Sequence, residues 1–88
     1  GIAHYYYKRG AYNAAINRAA QVIRKYPQSS SAQDALVLTI KSYKKLKLND
    51  QVKNNLEVLK KNYPDNKYLR HIKDPISEGW FMNFIHSL

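Results

Sequence analysis

Cysteine is absent from the 88-residue chain, which removes disulfides, thiolate metal sites and a cysteine nucleophile from consideration. Glycine and proline are scarce, three of each, and so few turn residues disfavour a β-sandwich or barrel. Carboxylates number only six and are scattered along the chain. His4, His71 and His86 stand apart, without the HxxxH or ExxH spacing of a metal site. No reaction class finds its constellation here, so neither catalysis, nor a metal, nor a cofactor is expected. No apolar run approaches the roughly 18–20 residues that span a bilayer, and no signal-peptide pattern opens the sequence.

What is present is basic and globular. Lys and Arg total 15, for a net charge of +9, and hydrophobic residues make up 44% against 24% charged, a balance of folded chains. A chain this short forms one domain with a thin core, burying roughly 60–65% of its unfolded surface. The basic surplus suits an acidic partner.

An internal repeat organises the sequence. Tyr26-Pro27 and Tyr63-Pro64 lie 37 residues apart. At that offset Tyr6 pairs with Tyr43, Lys8 with Lys45 and Asn17 with Asn54, while Ala15, Ala19 and Val22 pair with Val52, Leu56 and Leu59. Each unit reads as two helices. In the second unit a helix is predicted to begin near Ser30 or Ser31, where Ser-x-x-Gln33 and Ser-x-x-Asp34 resemble capping boxes. Ala32, Ala35, Leu36, Thr39, Ile40, Tyr43 and Leu46 then form its apolar stripe. Asn49 offers an N-cap for the next helix, with Val52, Leu56, Leu59 and Tyr63 as stripe and Pro64 as stop. The first unit turns at Gly10 and carries Ala15, Ile16, Ala19, Val22, Ile23 and Tyr26 up to Pro27. Its leading helix is about half the length of its counterpart, as expected of a chain that begins inside a helix. Two units (1–27, truncated, and 30–64) within residues 1–69 are therefore expected, followed by a linker and C-terminal helix over 70–88. That last helix would start at Asp74-Pro75 and use Trp80, Phe81, Phe84 and Ile85 to cap the stack.

The helix pairs, with Gly10, Tyr12, Ala15, Ile16 and Pro27 at matching positions, resemble the tetratricopeptide repeat. The second unit departs, with Lys47 at the glycine position, Val52 at the small alanine, and a period of 37 rather than 34. More specifically, KRGAYNAAINR, then YP, DAL, Tyr-x-x-Leu-x-Leu and NYPD resemble the BamD (ComL) family of outer-membrane lipoproteins over about residues 2–69. The resemblance implies an all-α, tetratricopeptide-like solenoid at the periplasmic face of the outer membrane, tethered by a lipidated upstream cysteine. It implies a non-enzymatic scaffold for β-barrel assembly that holds BamA and companion lipoproteins and receives unfolded outer-membrane proteins. Arg18, with Asn17 beside it, matches the family's arginine, for which the resemblance implies an ion pair with a POTRA domain of BamA.

Carried across in tetratricopeptide register, the leading helices line a concave groove with His4, Tyr7 and Lys8 from one unit and Asp34, Val37, Lys41, Lys44 and Lys45 from the other. Such a groove suits an acidic segment. The competing reading is that these lysines simply solvate a helix surface and cover apolar area with their stems. Two other functions stay open: a general tetratricopeptide adaptor for acidic peptides, and a nucleic-acid-binding helical repeat, which lacks any helix-turn-helix, RNP or GXXG signature in support.

Overall fold

Two kinds of turn, each used twice, set the path of the chain. The computed structural model describes residues 1–72, which form α1 (Ile2–Lys8), α2 (Tyr12–Lys25), α3 (Ser30–Lys45), α4 (Asn49–Asn62) and α5 (Lys67–Ile72). Among the described residues there is no strand. Each of α1 to α4 packs on its neighbour in sequence, α2 against α3 most extensively, and α1 also touches α3. This is a tetratricopeptide-like stack of helix pairs.

The first kind of turn joins the helices within a pair. After α1 the Gly10 amide donates to the Tyr7 carbonyl (3.0 Å) and the Ala11 amide to the Tyr6 carbonyl (2.9 Å). After α3 the Lys47 amide donates to Lys44 (3.0 Å) and the Leu48 amide to Tyr43 (3.1 Å). Both are Schellman motifs, which satisfy the last carbonyls of a helix and need a left-handed residue. Gly10 supplies it at φ 79° and Lys47, 37 residues on, at φ 59°. The glycine turn is thus reproduced by a lysine.

The second kind closes each pair at Tyr-Pro. Tyr26 (φ −129°, ψ 59°) and Tyr63 (φ −137°, ψ 61°) end α2 and α4 in nearly the same conformation, one that the following proline's ring requires by excluding the α region. The chain then turns, with the Ser29 amide donating to Tyr26 O (3.3 Å) and the Asn66 amide to Tyr63 O (3.0 Å).

α3 begins at Ser30 as the sequence predicts, but the capping residues lie one position earlier than expected. Ser29, not Ser30 or Ser31, caps α3: its Oγ accepts the Ala32 amide (3.0 Å) and donates to Tyr26 O (2.6 Å). Leu48, not Asn49, is the N-cap of α4 and brings no side-chain bond. Residues 65–73, which the sequence marks as a linker with room for a turn of helix, contain α5, whose first turn is bound by Asn66, with Oδ1 accepting the Tyr68 amide (2.8 Å). Asn66 Nδ2 also donates to Gln33 Oε1 on α3, which fixes α5 against the stack. The expected helix over 75–88, with its aromatic cap, lies outside the described residues.

Two apolar clusters hold the fold. The larger contains Leu36, Ile40, Val52, Leu56, Leu59, Leu69 and Ile72. Ile40, Val52 and Leu59 are fully buried, each stabilising the fold by about 1.5–3 kcal/mol. The smaller consists of Ala3, Ala19 and Ala35, with Val22, Ile23 and Leu38 against it. The stripes were read correctly except at two points. Tyr26 is 53% exposed, whereas Tyr63, in nearly the same backbone conformation, packs against the larger cluster. Ser42 is fully buried in α3, its hydroxyl donating to Leu38 O (2.8 Å).

Candidate functional site

Because α1 and α3 lie side by side, their free faces make one continuous concave surface, and α5 walls its far side. The result is an open groove of about 1250 Å³. His4 and Tyr7 reach it from α1, and Asp34, Val37, Lys41, Lys44 and Lys45 from α3. Helical periodicity explains the set: 34, 37 and 41 recur at steps of three or four residues, and 44 and 45 both lie one turn beyond 41. Lys8, the last residue of α1, is exposed and does not line the groove.

α5 adds Lys67, Tyr68 and His71, none of which was assigned to the site from sequence. The signal for them was Leu69 and Ile72, three residues apart and both buried, behind an asparagine able to cap. Tyr68 is the centre of this wall. Lys41 Nζ lies 5.7 Å from its ring centroid, within cation–π range, and the His71 ring stacks beside it at 6.4 Å. Burial, and secondarily Tyr7, push the Tyr68 phenol up to about 12, so it stays a neutral hydrogen-bond donor well into the alkaline range. Across the groove His4 and Tyr7 stack at 6.4 Å, and Tyr7 meets Tyr12 edge-on at 5.6 Å.

The charge is crowded at one end. Lys41, Lys44 and Lys45 rise from little more than one turn of α3, and the Lys44 ammonium is held below the usual lysine range by burial first, then by Lys41 and Lys45. The groove floor is apolar, with Val22, Ala35 and Leu38 contributing.

Arg18 and Asn17 belong to a different surface. Both are exposed on α2 and neither lines the groove. Arg18 Nη1 donates a long hydrogen bond, 3.5 Å, to Gln21 Oε1 one turn away, so the guanidinium remains open to solvent. No group of three or more metal-ligating side chains occurs among the described residues, and no helix there is long and apolar enough to cross a membrane.

The family model described as "YfiO: Outer membrane lipoprotein" matches residues 1–59. The outer membrane protein assembly factor BamD of Neisseria gonorrhoeae is 35% identical over 80 residues, covering 91% of this chain and 30% of that protein. Its namesake in Rickettsia prowazekii (strain Madrid E) is 37% identical over 67 residues, 76% of this chain and 27% of the relative. That of Pasteurella multocida (strain Pm70) is 33% identical over 61 residues, 69% and 24% respectively. The chain thus spans less than a third of the length of the curated relatives it matches. No solved structure matches it.

Proposed function

This chain belongs to the YfiO outer membrane lipoprotein family, and from that premise we propose that it is part of a periplasmic scaffold for outer-membrane β-barrel assembly. In this reading it is a non-enzymatic binding module at the periplasmic face of the outer membrane. Its partners are a POTRA domain of BamA and companion Bam lipoproteins, with unfolded outer-membrane proteins as clients.

The observation that carries the reading is Arg18, exposed on α2 within the Lys8-Arg9-Gly10-Ala11-Tyr12…Asn17-Arg18 string. Arginine suits a carboxylate partner because its planar fork grips both oxygens. Asn17 flanks it with a side-chain amide, and the contact face lies away from the groove. Tyr7, Lys41, Lys44 and Lys45 form a second surface, for a segment of a companion protein, with Lys8 at its margin. The general adaptor reading is favoured by the same groove lysines and differs only in the identity of the partner.

Arg18→Glu tests the proposal in calorimetric titration against the BamA periplasmic domain. Truncating one side of a buried interfacial ion pair costs about 2–5 kcal/mol, or roughly 30- to several-thousand-fold in affinity. An exposed residue with one weak hydrogen bond leaves the fold alone, so circular dichroism should not change. Unchanged affinity would reject Arg18 as the contact.

A further inference from the structure

We infer that the groove between α1, α3 and α5 receives an extended acidic peptide in which two carboxylates at alternate positions sit on Lys41, Lys44 and Lys45 and a neighbouring apolar or aromatic side chain rests against Tyr68. The inference deepens the scaffold reading by naming the chemistry of a second partner segment, and it does not use the Arg18 surface.

Dimensions select the ligand. Lys41 and Lys45 are four residues apart on α3, about 6 Å along the axis at 1.5 Å per residue. In an extended chain residues i and i+2 point the same way about 6.6–6.8 Å apart, so an acid-x-acid motif meets both ends of the lysine row. From Asp34 to Lys45 is eleven residues of α3, about 16 Å, room for roughly five extended residues.

Charge and polarity narrow it further. A helix C-terminus attracts lysines on its own account, and Lys44 and Lys45 in the last turn of α3 need no ligand to explain them. Lys41 lies before that turn and is drawn over Tyr68 instead, where its ammonium faces the groove. Burial first, and then the neighbouring Lys41 and Lys45, oppose the charged form of Lys44, and an incoming carboxylate offsets both. A uniform polyanion fits less well: Asp34 stands in the groove, and the floor of Val22, Ala35 and Leu38 offers nothing to a phosphate chain. It does offer burial to an apolar side chain.

The test is fluorescence anisotropy at physiological ionic strength, with a labelled peptide carrying Glu-x-Glu next to a phenylalanine. The comparison probes are its Gln-x-Gln analogue, a single-stranded oligonucleotide and phosphatidylglycerol-containing vesicles. The Glu-x-Glu peptide should bind and its Gln analogue should not. Lys41→Glu/Lys45→Glu should weaken binding by at least ~10-fold. Arg24→Glu/Lys61→Glu, on exposed positions outside the groove, should stay within ~2-fold. Each pair reverses two cations and takes the net charge from +9 to +5, so only the location differs. Tyr68→Ala should weaken binding and Tyr68→Phe largely preserve it. If Lys41→Glu/Lys45→Glu does not fold by circular dichroism, Lys41→Gln/Lys45→Gln against Arg24→Gln/Lys61→Gln, each at +7 from +9, carries the same comparison. Equal losses in the two double variants, or binding of oligonucleotide or vesicles without the peptide, would overturn the inference. The assay contains no BamA, so either failure leaves the Arg18 contact standing.

Discussion

Replacing Lys47 by glycine should make the protein more stable, although it deletes a side chain from a described turn. Lys47 is the left-handed residue of the Schellman motif between α3 and α4, at φ 59°. An L-residue in that conformation costs roughly 1–2 kcal/mol, and glycine escapes the cost but loses roughly 0.5–1 kcal/mol of extra chain entropy on folding. The net gain is about 0.5–1 kcal/mol, which for a domain of this size raises Tm by about 2–8 °C. Lys47→Ala separates backbone from charge, since it removes the ammonium near Lys44 and Lys45 and keeps the strained conformation. Gly10→Ala is the reciprocal experiment. A Cβ built at Gly10 meets nothing within 4 Å, so the alanine suffers no clash and only the backbone conformation is charged against it. After the entropy that alanine recovers in the unfolded chain, a loss of about 0.5–1 kcal/mol remains. Thermal melts by far-UV circular dichroism read all three. The reasoning fails if Lys47→Gly melts no higher than Lys47→Ala, or if Gly10→Ala is as stable as the parent.

Two further outcomes follow from the described contacts. Ser29→Ala removes the only side-chain cap bond at the start of α3 and should cost about 1 kcal/mol in urea denaturation; an unchanged midpoint would place the cap elsewhere in the serine run. Tyr68, at about 12 against an ordinary value near 10, is more readily ionised unfolded than folded. Its neutral form therefore contributes stability that is whole below pH 10 and is lost as pH climbs toward 12. In an ultraviolet absorbance titration one of the eight tyrosines should lag the rest, and Tyr68→Phe should abolish the lag.

The parts of the fold legible in the sequence are those in which many residues repeat one rule. The offset of 37 aligns Gly10 with Lys47, Ala15 with Val52 and Tyr26 with Tyr63, and in each pair the backbone conformation or the burial matches. Single residues were harder. Ser29, Ser30 and Ser31 are chemically equal candidates for a cap, and only the geometry of the turn after Pro27 decides among them. Ser42 has a polar side chain in a fully buried place, tolerated because its own helix supplies a carbonyl one turn back. α5 is six residues long and presents too short a stretch for periodicity to register, so the tyrosine wall of the groove went unseen while the lysines on the sixteen-residue α3 were placed. Lys8 shows the limit of register arguments: it follows the pattern of α1 and yet falls outside the groove.

The contrast between the two apolar clusters has a consequence for how the protein comes apart. Alanines let α1, α2 and α3 approach closely but remove little apolar area from water, whereas the leucine, isoleucine and valine cluster joining α3, α4 and α5 withdraws several large side chains at once. Among the described residues the packing is therefore close but most cohesive over α3 to α5, so that α1 can detach as a low-energy local opening while α3 and α4 persist to the global transition. Such grading puts one lip of the groove on the readily opened unit and the lysine row on the durable one. A ligand bridging the two would be felt chiefly by α1, as slower opening of that helix, with the rest of the molecule scarcely changed.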